Sequence, residues 1–232
     1  MLHLHSIKNQ ASPYWDSLVR IYRESFPIDE QRPIESIAHL LTEEPRYTMH
    51  AIIDDNYAAE LQAVGHWPLA VGSSEDDNGV AELQANSQKP KANSQAPTAN
   101  SQRPIANSPK ALGLLTTWEF ADFIYIEHFA IDSTLRSQGY GSEALKAFIK
   151  EQCKPIILEA EPPTDELSIR RIHFYERSGF VLHDYPYMQP AYTEDSHSVE
   201  LRLMSCQLSS SLPLEHISHT LYREVYGKRN VI

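Results

Sequence analysis

Cysteine is nearly missing from this chain of 232 residues: only Cys153 and Cys206 are present. Two cysteines make no disulfide framework and fit a reducing compartment. No spacing among them and the eleven histidines matches a zinc site, so no metal is expected. There is no apolar run long enough to span a bilayer. The opening Met1-Leu2-His3-Leu4-His5-Ser6-Ile7 alternates like a strand and lacks the basic flank and apolar stretch of a secretory signal. Basic residues are also few, twenty against 31 acidic ones, for a net charge of -11. Such a surface repels a phosphate backbone and argues against nucleic acid as the partner; a cationic acceptor suits it better. These absences together predict a soluble cytoplasmic protein, and its 41% hydrophobic content supplies a sizeable core.

Glycine is scarce as well, eight in all, which makes two within three residues informative. Arg136-Ser137-Gln138-Gly139-Tyr140-Gly141-Ser142 follows a predicted strand, Phe123 to Ile131, and opens a predicted helix, Gly139 to Lys150. The first amides of a helix lack intrahelical partners and sit at the positive end of its macrodipole. A loop without side-chain bulk therefore lets a pyrophosphate rest on them.

A second segment, Ile169-Arg170-Arg171-Ile172-His173-Phe174-Tyr175-Glu176-Arg177-Ser178-Gly179-Phe180, lies past a short apolar strand, Pro155 to Ala160. The two segments together resemble the GNAT superfamily of acyl-CoA-dependent N-acyltransferases. That family carries an Arg/Gln-x-x-Gly-x-Gly/Ala loop after its fourth strand and a Phe-Tyr-x-x-x-Gly-Phe ending on a later helix. The resemblance covers residues 111 to 206 with both motifs and residues 1 to 53 through element order. It implies an α/β fold: a mixed, mainly antiparallel sheet splayed between two adjacent strands, with helices on both faces and acetyl-CoA wedged into the splay as acyl donor.

Along the chain, Ser12-Pro13 reads as a helix start, with Trp15, Leu18 and Tyr22 on one face. A second helix begins near Pro33, followed by a strand from Tyr47 to Ile53; Glu30 and Arg32 between these elements are left open. From Val71 to Lys110 the composition changes. A seven-residue unit beginning Ala-Asn-Ser-Gln repeats from Ala85 to Lys110, each full copy holding a proline and none offering a coiled-coil seam. This predicts a disordered insert between two strands, with docking of a partner as the alternative. Ala111 to Phe120 and Asp122 to Ile131 read as neighbouring strands. In the helix predicted from Leu167 to Ser178, Ser168, Ile172 and Tyr175 share a face. Val199 to Met204 is a final strand. In the extension from 207 to 232, Leu214, Ile217, Leu221 and Val225 form an amphipathic helix that caps the sheet or pairs two copies into a homodimer.

Acyl transfer to an amine needs a base for the amine, a place for the oxyanion and a proton for the departing thiolate. Strand alternation puts Phe123, Tyr125, Glu127, Phe129 and Ile131 on one face, leaving Glu127 a lone carboxylate among apolar neighbours, and His128 on the other. Desolvation there raises a carboxyl pKa toward that of a general base, whereas a nearby arginine would satisfy it as a structural residue. By resemblance, Tyr175 donates a proton to the coenzyme A thiolate; the alternative is a core aromatic. The family often has asparagine seven residues earlier, where this chain has Ser168, able to bond the pantetheine arm. Resemblance also assigns the backbone of Phe129, Ala130 and Ile131 to pantetheine and the thioester carbonyl. On the acceptor side, Glu159 and Glu161, with Tyr125 and the loop holding Tyr187, Gln189 and Tyr192, suit a cation. The predicted function is acetyl transfer from acetyl-CoA to a primary amine, small molecule or peptide, by direct attack in a ternary complex. A silent acyl-CoA sensor and an interaction protein working through its repeat are the alternatives.

Overall fold

The computed structural model describes residues 1–55 and 110–228. The repeat expected from 85 to 110 therefore lies outside the described residues, apart from Lys110. The elements run β1 (Leu2–Ile7), α1 (Trp15–Ser25), α2 (Ile34–Glu43), β2 (Tyr47–Asp54), β3 (Gly113–Glu119) and β4 (Ile124–Ile131). They continue with α3 (Tyr140–Glu151), β5 (Ile156–Ala160), α4 (Glu166–Glu176), β6 (Val181–Leu182), β7 (Tyr187–Gln189), β8 (Val199–Cys206) and α5 (Leu214–Thr220). The helix of α5 runs on as a π-helical turn, Leu221–Val225.

One open sheet of eight strands has the order β1-β2-β3-β4-β5-β8-β6, with β7 also on β8. Every pairing is antiparallel except β4 with β5. Helices cover both faces. Leu18, Ile21, Tyr22 and Ile37 of α1 and α2 join Ile217, Leu221 and Val225 in one core, over Met49, Trp118, Tyr125 and Leu203. Leu145 and Phe148 of α3 and Ile172 and Tyr175 of α4 pack on Leu115, Ile126, Ile156 and Met204. The C-terminal apolar stripe is thus buried within its own chain and is not free to pair two copies. Among the described residues no helix is long and apolar enough to cross a membrane.

Two irregularities shape the sheet. The register between β3 and β4 slips at Thr116/Thr117: His128 faces Thr116 and Ile126 faces Thr117, so Glu127 is an extra residue. Such a bulge reverses the alternation that follows it. Phe129 and Ile131 consequently turn to the α3 and α4 side, with Leu115 and Leu135, while His128 joins Tyr125 on the α1 side. The single face expected for Tyr125, Glu127, Phe129 and Ile131 does not exist, because strict period-two counting does not survive one inserted residue. The second irregularity is that β4 and β5 pair only from Ile124–Ile156 to Ile126–Leu158. Past that point they separate.

Candidate active site

A cleft of about 760 Å³ opens where β4 and β5 part. Its walls include Phe129, Ala130 and Ile131 of β4, Glu159 of β5 and Tyr175 of α4. Asp132 N–H donates to Leu112 O, which pairs the backbones of Ala130 and His128 with β3. Phe129 and Ile131 then turn their N–H and C=O groups toward the unpaired side, and Arg136 Nε donates to Ile131 O there at 3.2 Å. Of the three backbones assigned to the cofactor, two face the cleft.

The glycine loop closes one end. Asp132 accepts from Thr134 N–H and begins a 3-10 turn, Ser133–Leu135. Ser137 and Gly139 both have positive φ, 66° and 92°. Gly139 stands at the N-cap of α3 with no side chain to bond the first amides, so these point outward without intrahelical partners. A Cβ on Gly141 would lie 3.4 Å from Ile131 Cγ1 and 3.6 Å from Phe174 Cζ, so a methyl fits between the strand and α4 and a larger side chain does not. Arg136, Ser137, Gly139, Tyr140, Gly141 and Ser142 all line the cleft. Gln138 does not: its amide reaches back to Thr134 O. Arg170, Arg171 and Arg177 of the α4 region border the same cleft. Two of these stand in the quoted motif's opening Arg-Arg pair, yet their aim depends on how α4 lies across the splay.

Tyr175 is 8% exposed, and burial pushes its phenol up to about 12. Its ring meets Phe174 and Phe180 edge-on. The hydroxyl bonds to none of the described residues and remains solvent-accessible where the residue lines the cleft. Ser168 is a different matter. It is 1% exposed, its hydroxyl donates to Asp165 O at 3.0 Å and accepts from Asp165 N–H at 3.1 Å, completing a capping box at the start of α4. The expected role toward pantetheine is not available to it, since it is shut inside the helix start.

The two carboxylates differ sharply. Glu127 has a wholly buried side chain. It accepts from Arg32 Nη2 at 2.7 Å and Nε at 3.2 Å, Trp118 Nε1 at 3.0 Å and Tyr192 Oη at 2.9 Å. Burial pushes its pKa up, but Arg32, with His128 and Trp118, outweighs burial and holds it below the usual carboxylate range. The expected rise is reversed, because the bulge directs this carboxyl inward onto Arg32. Among the described residues Glu159 has no basic partner. It accepts from Tyr187 Oη and, at 2.9 and 3.2 Å, from Tyr226 Oη, whose oxygen is 3.0 Å from Tyr125 Oη. Burial pushes its carboxyl up to about 7; the tyrosine hydroxyls pull the other way and the Glu127 charge adds to the rise.

Tyr125 and Tyr187 are therefore placed behind Glu159 and do not line the cleft, contrary to the expected contact with substrate; they are 0% and 2% exposed. Gln189 does line it, with its amide nitrogen buried and unpartnered. Glu30 and Glu161 border the mouth; burial and the Glu161 charge raise the Glu30 pKa, and Glu161 pairs with Arg171. Arg32, left open from the sequence, and Tyr226, not singled out there, both belong to the site. Each arrives from an element remote in the chain, so spacing alone carries no signal for it. His128, expected to pack, is 3% exposed and bonded to Tyr22, Thr116 and Glu30 O.

Comparison with known proteins bears on this geometry. The model of the acetyltransferase (GNAT) family matches residues 15–180. YjbC of Bacillus subtilis (strain 168), assigned as an acetyltransferase, is 36% identical over 64 residues, which are 27% of this chain and 33% of the relative. The match thus spans about a third of that relative's length. A GNAT-family structure from Bacteroides thetaiotaomicron superposes over 98% of this chain and 99% of its own, with a TM-score of 0.70 and 26% identity. Arabidopsis thaliana NAA60 in complex with acetyl-CoA covers 88% of this chain and 97% of its own at a TM-score of 0.50 and 14% identity, a likeness of fold.

Proposed function

The chain belongs to the acetyltransferase (GNAT) family, and on that premise we propose that it moves an acetyl group from acetyl-CoA to a primary amine by direct attack in a ternary complex. The residues present fit the donor. The open amides at Gly139 to Ser142, with Arg136 and Arg177 beside them, suit a pyrophosphate. The outward backbone of Phe129 and Ile131 suits an amide-bearing arm lying along β4. Acetyl-CoA supplies an acetyl carbonyl activated as a thioester.

The observation that carries the reading is Glu159: a carboxylate that burial pushes up to about 7, lining the same cleft as the Tyr175 hydroxyl, which bonds to none of the described residues. We assign Glu159, and not Glu127, as the general base. It takes the proton that the amine nitrogen sheds as the new C–N bond forms. Tyr175 gives its phenolic proton to the sulfur as the C–S bond breaks. Environments that drive two carboxyls apart in this way separate a proton carrier from a fixed charge, here Glu159 from Glu127. The acceptor is an amine small molecule or peptide drawn in past Glu30 and Glu161. Incubating the protein with acetyl-CoA and a panel of amines, with thiol release as readout, tests the proposal. Release with at least one amine, lost in Glu159→Gln, is the expected result. Tight acetyl-CoA binding with no release for any amine would favour a sensor instead.

A further inference from the structure

The family match ends at residue 180, yet the carboxylate assigned as base is held from outside it. Beyond Tyr187, which stands on β7, the contact comes from the far end of the chain. The π-helical turn Leu221–Val225 widens the last helix and delivers Tyr226 into the space behind β5. There its hydroxyl touches both Glu159 oxygens and the Tyr125 hydroxyl. The turn is fixed independently of Glu159. Val225 O accepts from Arg32 Nη2 at 3.2 Å, Glu224 pairs with Arg46, and Tyr222 stacks on Tyr187 with an interplanar angle of 2°. Tyr226 is 9% exposed, and its ring packs against Tyr192.

We propose that Tyr226 is a positioning residue of the acceptor half-site: the C-terminal turn holds the Glu159 carboxylate toward the cleft and sets how readily it takes a proton. The inference rests on the reading of Glu159 as base. A phenol donating to a carboxylate stabilises the charged form, so its loss raises the carboxyl pKa. The groups facing Glu159 are Tyr125 and Glu127 from β4, Tyr187 from β7 and Tyr226 from the turn, with Tyr192 behind Tyr226. Among them only Tyr226 reaches both carboxylate oxygens; without its hydroxyl the carboxylate keeps the Tyr187 contact to Oε1 and loses the contact that holds Oε2. A merely structural Tyr226 would change stability and leave the titration of Glu159 alone.

Tyr226→Phe keeps the ring and removes the hydroxyl. The carboxyl of Glu159 is followed by infrared difference spectroscopy against pH, its band identified by loss in Glu159→Gln; this needs no turnover. The Glu159 midpoint is expected to move up by about one pH unit in Tyr226→Phe, as suits a hydrogen bond to a charged group. Tyr222→Phe, which removes the hydroxyl one turn earlier, should leave it in place. In turnover, the acidic limb should move with the midpoint while the KM for acetyl-CoA stays constant. An unmoved midpoint in folded Tyr226→Phe overturns the proposal. A moved midpoint with an acidic limb that stays put in both Tyr226→Phe and Glu159→Gln keeps Tyr226 as the residue that sets the Glu159 titration and overturns Glu159 as base.

Discussion

Replacing each carboxylate by its neutral isostere separates the fixed charge from the proton carrier. Glu127→Gln leaves the Arg32 guanidinium, 11% exposed in its side chain, without an anionic partner. Breaking one side of a buried pair costs about 3–5 kcal/mol because the remaining charge stays desolvated. For a chain of this size each kcal/mol lowers Tm by about 2–4 °C, so a fall of about 6–20 °C is expected. Glu159→Gln should do the opposite. Its carboxyl has a folded pKa of about 7 against an ordinary value of 4.5, so the fold prefers the protonated form. The resulting penalty is absent below pH 4.5, grows as pH rises from 4.5 to 7 and levels off above 7, at about 3 kcal/mol by pH 8. Gln removes it, so this variant should match or exceed the wild-type Tm at pH 8 and show no gain near pH 4.5. Its turnover should fall by about 10²–10⁴, with the acidic limb gone. Calorimetry at the two pH values and a pH profile of thiol release read both. If Glu127→Gln holds its Tm and loses the acidic limb while Glu159→Gln keeps it, the two carboxylates have the opposite roles.

Gly141→Ala should be tolerated, whereas Gly141→Val should drive a branched side chain into Ile131 and Phe174 and weaken acetyl-CoA binding more than tenfold by calorimetry, about 1.4 kcal/mol or more. Tyr175→Phe should lower turnover about a hundredfold at unchanged acetyl-CoA affinity, since the ring packing is kept and only the proton donor goes; equal activity would move the acid elsewhere. Ser168→Ala should cost about 1 kcal/mol of stability in chemical denaturation through loss of the capping box, with acetyl-CoA affinity unaltered.

Much of the molecule is local in origin and so was legible from the chain. The glycine loop needs a left-handed backbone at residue 139, which only a bare residue adopts without strain, and that demand is written in the sequence as Gly139. The buried face of α4 follows from a period of 3.6, which brings Ser168, Ile172 and Tyr175 together. The mixed, mainly antiparallel sheet with its splay followed from the family resemblance those motifs supported. Tertiary structure decided the chemistry of the carboxylates. The bulge at Glu127 depends on how β4 pairs with β3, a register that no period in β4 encodes. Once bulged, that carboxyl meets Arg32, 95 residues away in the chain, and becomes a fixed charge. The sequence places Glu159 on the acceptor side as a partner for a cation and carries nothing of its proton affinity. Its pKa depends on burial and on tyrosines at 125, 187 and 226, brought together by the sheet and the last turn of the chain, because desolvation and charge proximity belong to the folded surroundings and not to the residue.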